Sequence, residues 1–79
     1  MQIQVKTTKI VSDIIGAERR NFVVELAQGD SIADLIGRLA IPEKYLPIIV
    51  FHVNGSNARQ DYILKDGDQV SIYPVVGGG

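Results

Sequence analysis

A chain of 79 residues has room for one small domain, near the size at which a single hydrophobic core is only just adequate. With 46% hydrophobic and 22% charged residues, it carries enough apolar material to offset the entropy of ordering, which excludes a disordered chain. A formal net charge of −1, with Lys and Arg scattered apart from Arg19-Arg20, excludes a nucleic-acid footprint, and the lack of cysteine excludes disulfides, thiol nucleophiles and thiolate metal sites.

The stretch QIQVK at 2–6 alternates polar and apolar residues, with Ile3 and Val5 on one face, which predicts a half-buried strand. In KIVSDIIGAERRN, Val11, Ile14 and Ile15 stand at near-helical spacing before Gly16, which predicts a short helix within a long connection. NFVVEL at 21–26 alternates again through Phe22, Val24 and Leu26 and is expected to pair antiparallel with the first strand. Ser31 then offers an N-cap with Asp34 three residues on, a variant of the capping box, and Ile32, Leu35, Ile36 and Leu39 form one apolar stripe. Pro42 pushes its predecessor away from helical angles, so this main helix is expected to end near Ala40.

IIVFHVNG at 48–55 is apolar and β-branched between Pro47 and Asn54-Gly55, which predicts a strand covered on much of both faces and closed by a turn. Residues 58–60 are expected to add a short strand, LKDGD at 64–68 a turn, and QVSIYPV a last strand with Val70 and Ile72 inward. No stretch approaches the ~18 apolar residues of a membrane span, and no charged-then-apolar leader is read at the N-terminus. No membrane or nucleic-acid partner is expected, and a cytoplasmic location is.

This order predicts an α+β domain in which a mixed sheet of four to five strands carries one main helix across one face. First and last strands side by side in the middle of the sheet would let the chain's end leave a rigid scaffold at one edge. Few residues carry chemistry. His52, the single histidine, alternates with Phe51 and Val53, which reads as a sheet-surface histidine rather than a catalytic one. Asp61, Asp66 and Asp68 lack the closing glutamate of a calcium loop and are turn residues, so no metal site is expected. Two features remain. Gln4, Lys6, Val50, His52, Ser71 and Tyr73 should share the sheet face away from the helix, as a partner surface or as a merely solvated face. PVVGGG at 74–79 ends on glycines that cannot pack, read either as an incidental end or tag remnant, or as the support of a working carboxylate on Gly79.

FHVNG, LKDGDQVSIYPVVGGG and DIIG together resemble the small sulfur-carrier proteins of the ubiquitin-like β-grasp superfamily. The nearest look is that of the molybdopterin synthase small subunit, with the thiamine-pathway sulfur carrier a near relative. The resemblance implies a β-grasp domain over 1–75 and a flexible tail over 76–79. It implies that an E1-like adenylating enzyme joins the Gly79 carboxylate to AMP, using its own ATP and magnesium, and that a sulfurtransferase supplies the sulfur that displaces AMP to leave a thiocarboxylate. Gly77 and Gly78 would thread a partner's tunnel, while Val50, His52, Tyr73, Pro74, Val75 and Val76 would contact the partner. The acceptor would be the molybdopterin synthase large subunit or an equivalent, and the chain itself would hold no tightly bound cofactor and catalyse nothing alone. Pro74 is expected to stop strand pairing and free about four residues, roughly 13 Å of reach.

Departures from that pattern are visible. Thr7, Thr8 and Asn57 stand where the molybdopterin subunit shows apolar residues on its exposed sheet face, and Gly77 stands where threonine or alanine is common. The same tail chemistry also serves thiamine-pathway carriers and ubiquitin-like modifiers that are joined to lysines. A non-catalytic interaction module with incidental glycines is the alternative of a different class.

Overall fold

Period-two alternation builds one layer of the molecule. The computed structural model describes residues 1–16 and 20–75. Its strands are β1 (Gln2–Thr7), β2 (Asn21–Glu25), β3 (Ile49–Val53), β4 (Ser56–Ala58) and β5 (Gln69–Pro74). They form a five-stranded sheet in the order β2-β1-β5-β3-β4, with β1 and β5 parallel at its centre and the other neighbours antiparallel. Ile3, Val5, Val24, Phe51, Val53, Val70 and Ile72 are buried on one face, where they join Val11, Ile32, Leu35 and Ile36 from two short helices in a single core. This is the predicted two-layer arrangement, with first and last strands adjacent.

Local chemistry explains where the helices start and stop. In α1 (Lys9–Ile15), the Thr8 hydroxyl accepts from the Val11 amide, and Gly16 closes the helix at φ 72, a left-handed angle that glycine adopts without strain. In α2 (Ile32–Arg38), the Ser31 hydroxyl accepts from the Asp34 amide while the Asp34 carboxylate accepts from the Ser31 amide at 2.8 Å, completing the capping box. The next two amides, of Ile32 and Ala33, donate to the carbonyls of Tyr62 and Gln60 at 3.0 and 2.8 Å, so the loop before β5 satisfies the helix's remaining first-turn donors. No helix among the described residues is long and apolar enough to cross a membrane.

Four expectations need correction. A 3-10 segment, Glu43–Ile48, precedes β3 and takes Ile48 out of the strand. β4 lies at Ser56–Ala58 rather than 58–60, because the two-residue turn at Asn54 (φ 51) and Gly55 (φ 88) sets Ser56 directly opposite Val53. Gln60 is drawn away instead to cap α2. β3 is covered on one face only: Ile49, Phe51 and Val53 are buried, while Val50 and His52 are half-buried on the other side. Thr7 stands opposite Ile72, on the helix side of the sheet, and Thr8 caps α1, so of the three polar departures only Asn57, opposite His52, lies on the outer face.

A polar knot locks the β3–β4 turn to the start of β5. The buried Asp68 carboxylate accepts from the Asn54 side-chain amide at 2.9 Å and from the Lys65 backbone amide at 2.8 Å, while the Asn54 side-chain oxygen accepts from the Gln69 amide at 2.9 Å. The Asp68 carbonyl also accepts from the Gln4 amide of β1 at 3.0 Å. Asn54→Ala leaves a buried carboxylate and the Gln69 amide short of a partner and removes a residue suited to positive φ. It should cost about 2 kcal/mol of stability, read as a lowered urea midpoint at unchanged slope.

Candidate functional site

Strand register composes the outer sheet face. Ser71 lies between Lys6 of β1 and His52 of β3, and Asn57 continues the row on β4. Tyr73 lies opposite Val50, and its ring meets the His52 imidazole edge to face, with centroids 5.3 Å apart and planes at 78°. The six residues expected to share this face do share it.

At the end of β5, the sheet extends one residue beyond the expected stop. Pro74 belongs to the strand, opposite Ile49, and the Val75 amide donates to the Ile48 carbonyl at 2.7 Å. Proline does not interrupt the ladder, for a geometric reason. The Asn54 amide bonds the Gln69 carbonyl and the Val75 amide bonds the Ile48 carbonyl, so odd-numbered residues of β5 face β3 and even-numbered ones face β1. β1 has ended at Thr7, opposite Ile72, so the donor that Pro74 lacks would have had no strand to reach.

The bond from Val75 to Ile48 carries the β3–β5 register one step past the strand, which sets Ile48 and Val75 next to the Ile49–Pro74 pair and two places from Val50 and Tyr73. Ile48 is 50% exposed, Tyr73 42% and Val75 48%. These four side chains form an apolar collar at the end of the described part of β5, with His52 against its inner edge. Ile48 was missed in the sequence because the run IIVF reads as uniformly apolar. The signal that finds it is parity: if Ile49, Phe51 and Val53 point inward, then Ile48 points outward with Val50. Val76, Gly77, Gly78 and Gly79 lie outside the described residues. Among the described residues, no group of three or more His, Cys, Asp or Glu gathers as metal ligands would.

A protein-family model matches residues 11–79, under the description ThiS family. The chain belongs to the ThiS family. It is thus one of the ubiquitin-fold sulfur carriers that the resemblance in its turns and tail pointed to. No curated protein matches it in sequence. Among solved structures, this ThiS-family chain is similar to a Pyrococcus furiosus protein provisionally assigned as molybdopterin converting factor subunit 1. The two are 27% identical with a TM-score of 0.75, over 96% of this chain and 99% of that one. It is also similar to small archaeal modifier protein 1 of Haloferax volcanii, at 18% identity and TM-score 0.74 over 95% and 98% of the two chains. The complex of subunits 1 and 2 of the Helicobacter pylori molybdopterin-converting factor gives 23% identity and TM-score 0.68, over 100% of both chains. The fold is the ubiquitin-like β-grasp, a five-stranded mixed sheet with helices packed on one face.

Two neighbouring isoleucines differ in what they do for stability. Ile49, only 6% exposed, and Ile48 are neighbours in sequence on opposite faces. Ile49→Ala should cost about 3 kcal/mol, whereas Ile48→Ala should stay within about 0.5 kcal/mol of the parent in denaturant titrations.

Proposed function

We propose that this ThiS-family chain carries sulfur as a thiocarboxylate on Gly79 and delivers it in a molybdopterin-type cofactor pathway. The observation that carries the reading is the collar at the exit of a central strand. Among the described residues, Val75 is the last one held by the sheet, and four residues follow it in the sequence, a reach of about 13 Å if extended. That is long enough for a carboxyl end to enter a partner's site while Ile48, Val50, Tyr73 and Val75 dock at its mouth. Gly77, Gly78 and Gly79 suit a narrow passage because they carry no side chains.

The chemistry follows from the electrophile. A carboxylate resists nucleophiles until one of its oxygens becomes a good leaving group. In this proposal, a carboxylate oxygen of Gly79 attacks the α-phosphorus of ATP and pyrophosphate leaves, giving an acyl adenylate. The outer sulfur of a sulfurtransferase persulfide then attacks the acyl carbon and AMP leaves, giving an acyl disulfide; a second thiol attacks the donor's sulfur, forming a disulfide with it and releasing the thiocarboxylate. The adenylating partner supplies ATP, magnesium and the contacts that stabilise charge on the phosphates. The chain contributes the docking face and the tail and binds no cofactor of its own, and the cycle belongs in the cytoplasm. The similarity to the Pyrococcus protein favours the molybdopterin pathway over the thiamine one, and the two-subunit assembly from Helicobacter supports a large-subunit acceptor.

Incubation with an adenylating enzyme of proven activity, ATP and a sulfur source should produce the mass change of one sulfur-for-oxygen exchange at Gly79, read by mass spectrometry of the intact chain. No exchange would sink the proposal, and Gly79-dependent bonds to lysine amines would make the chain a protein modifier instead. Tyr73→Ala should weaken binding to that enzyme about tenfold or more in calorimetry without altering the fold, as loss of a central aromatic anchor does.

A further inference from the structure

β2 lies at one edge of the sheet, and among the described residues no strand covers its outer side. Its hydrogen bonding to β1 is set in phase at both ends. The Leu26 amide donates to the Met1 carbonyl at 2.9 Å, and the Thr7 amide donates to the Arg20 carbonyl at 2.8 Å. In the observed register, Phe22 and Val24 therefore exchange their backbone bonds with β1, while the N–H and C=O groups of Asn21, Val23 and Glu25 point away from the sheet. Natural edges are normally blunted by lysine, proline, a bulge or brevity. β4, the opposite edge, is short and polar. β2 has none of these devices and carries a charge only at its end, on Glu25, while Val23 at its middle is 54% exposed.

We propose that β2 pairs antiparallel with β2 of a second copy of this chain, about a twofold axis through Val23. A second copy is favoured over an unrelated strand because this edge complements itself. The axis sets Val23 against Val23 and each Glu25 against Asn21 of the other copy, and each of these pairs uses both outward backbone groups of its residues. The two carboxylates fall at opposite ends of the joint, so no like charges meet. On the helix side, half-buried Phe22 faces Val24 of the second copy, which extends both cores across the joint. The product is a continuous sheet through two molecules, closed by an isologous contact. β5 lies two strands inboard of the joint, so the collar stays open in both copies, and the pairing is independent of the sulfur chemistry.

Sedimentation velocity on the full chain, from micromolar to about 1 mM, should show a dimer fraction that rises with concentration. Val23→Pro removes an outward N–H that the β1 ladder does not use, so the domain should keep its fold by circular dichroism while self-association weakens at least about tenfold. A second arm uses the lack of native cysteine. The narrow pair at the axis has a Cα separation of about 5.5 Å, within disulfide range. Val23→Cys should therefore oxidise to a covalent dimer much faster than Asn57→Cys on the opposite edge strand. A chain that stays monomeric throughout, a dimer unaffected by Val23→Pro, or equal cross-linking at both positions would overturn the proposal.

Discussion

The parallel pairing of β1 with β5 is the constraint on which the rest of the molecule depends. Parallel neighbours cannot be joined by a tight turn, so everything between Thr7 and Gln69 must serve as a crossover. That crossover supplies both helices, the outer strands and the loop that caps α2. The pair is also where burial is most complete: Ile3 and Val5 on β1, and Val70 and Ile72 on β5, are fully buried beneath the helical layer. Burial of that kind contributes roughly 2 kcal/mol per side chain, and it sits in the first and last strands of the chain, side by side at the centre of the sheet. The polar knot at Asp68 fixes the register by tying the entry of β5 to β1 and to the β3–β4 turn in one network.

A central last strand also decides what can be presented. β5 has a neighbour on each side, so it resists the fraying of an edge strand, and among the described residues its ladder runs as far as the bond from Val75 to Ile48. Proline at position 74 suits this role because its absent donor faces the side where β1 has already ended. The apolar collar follows from the same parity. Residues that alternate with the core positions of β3 and β5 must emerge together on the opposite face, and near the exit those residues are Ile48, Val50, Tyr73 and Val75.

Much of this was legible in the chain. The alternation of Ile3 with Val5, and of Val70 with Ile72, carries the strands, and the Ser31–Asp34 pair marks the helix start, because each is a local rule with a local cause. The exposed face was readable for the same reason. Illegible parts depend on partners distant in sequence. β4 was misplaced because its position is set by the register of a two-residue turn and by the competing demand of α2 for the carbonyls of Gln60 and Tyr62. The 3-10 segment, EKYLPI, has no apolar period to mark it, and its last residue, Ile48, belongs to the apolar run that reads as strand. Thr7 continues the inward parity of Ile3 and Val5, and only its polar side chain hides this in composition. Ile48 escaped notice for a related reason, since its side of the sheet is known only once its neighbour Ile49 is known to be buried.

Division of labour between alternate residues bears on how a fold of this kind persists while its sequence drifts. A TM-score of 0.75 at 27% identity over nearly the whole of both chains means that most positions can change without moving the backbone. In β3 and β5, the inward residues answer to packing density, where a lost methylene is felt, and the outward ones answer only to solvent or to a partner. Substitutions such as Asn57 on the outer face therefore leave the core untouched, and partner choice can be rewritten at every second residue. The collar is held less freely. Its members stand on or beside β3 and β5, two strands each with neighbours on both sides, so a change of side chain there alters the exposed surface while the backbone stays where the β3–β5 ladder puts it.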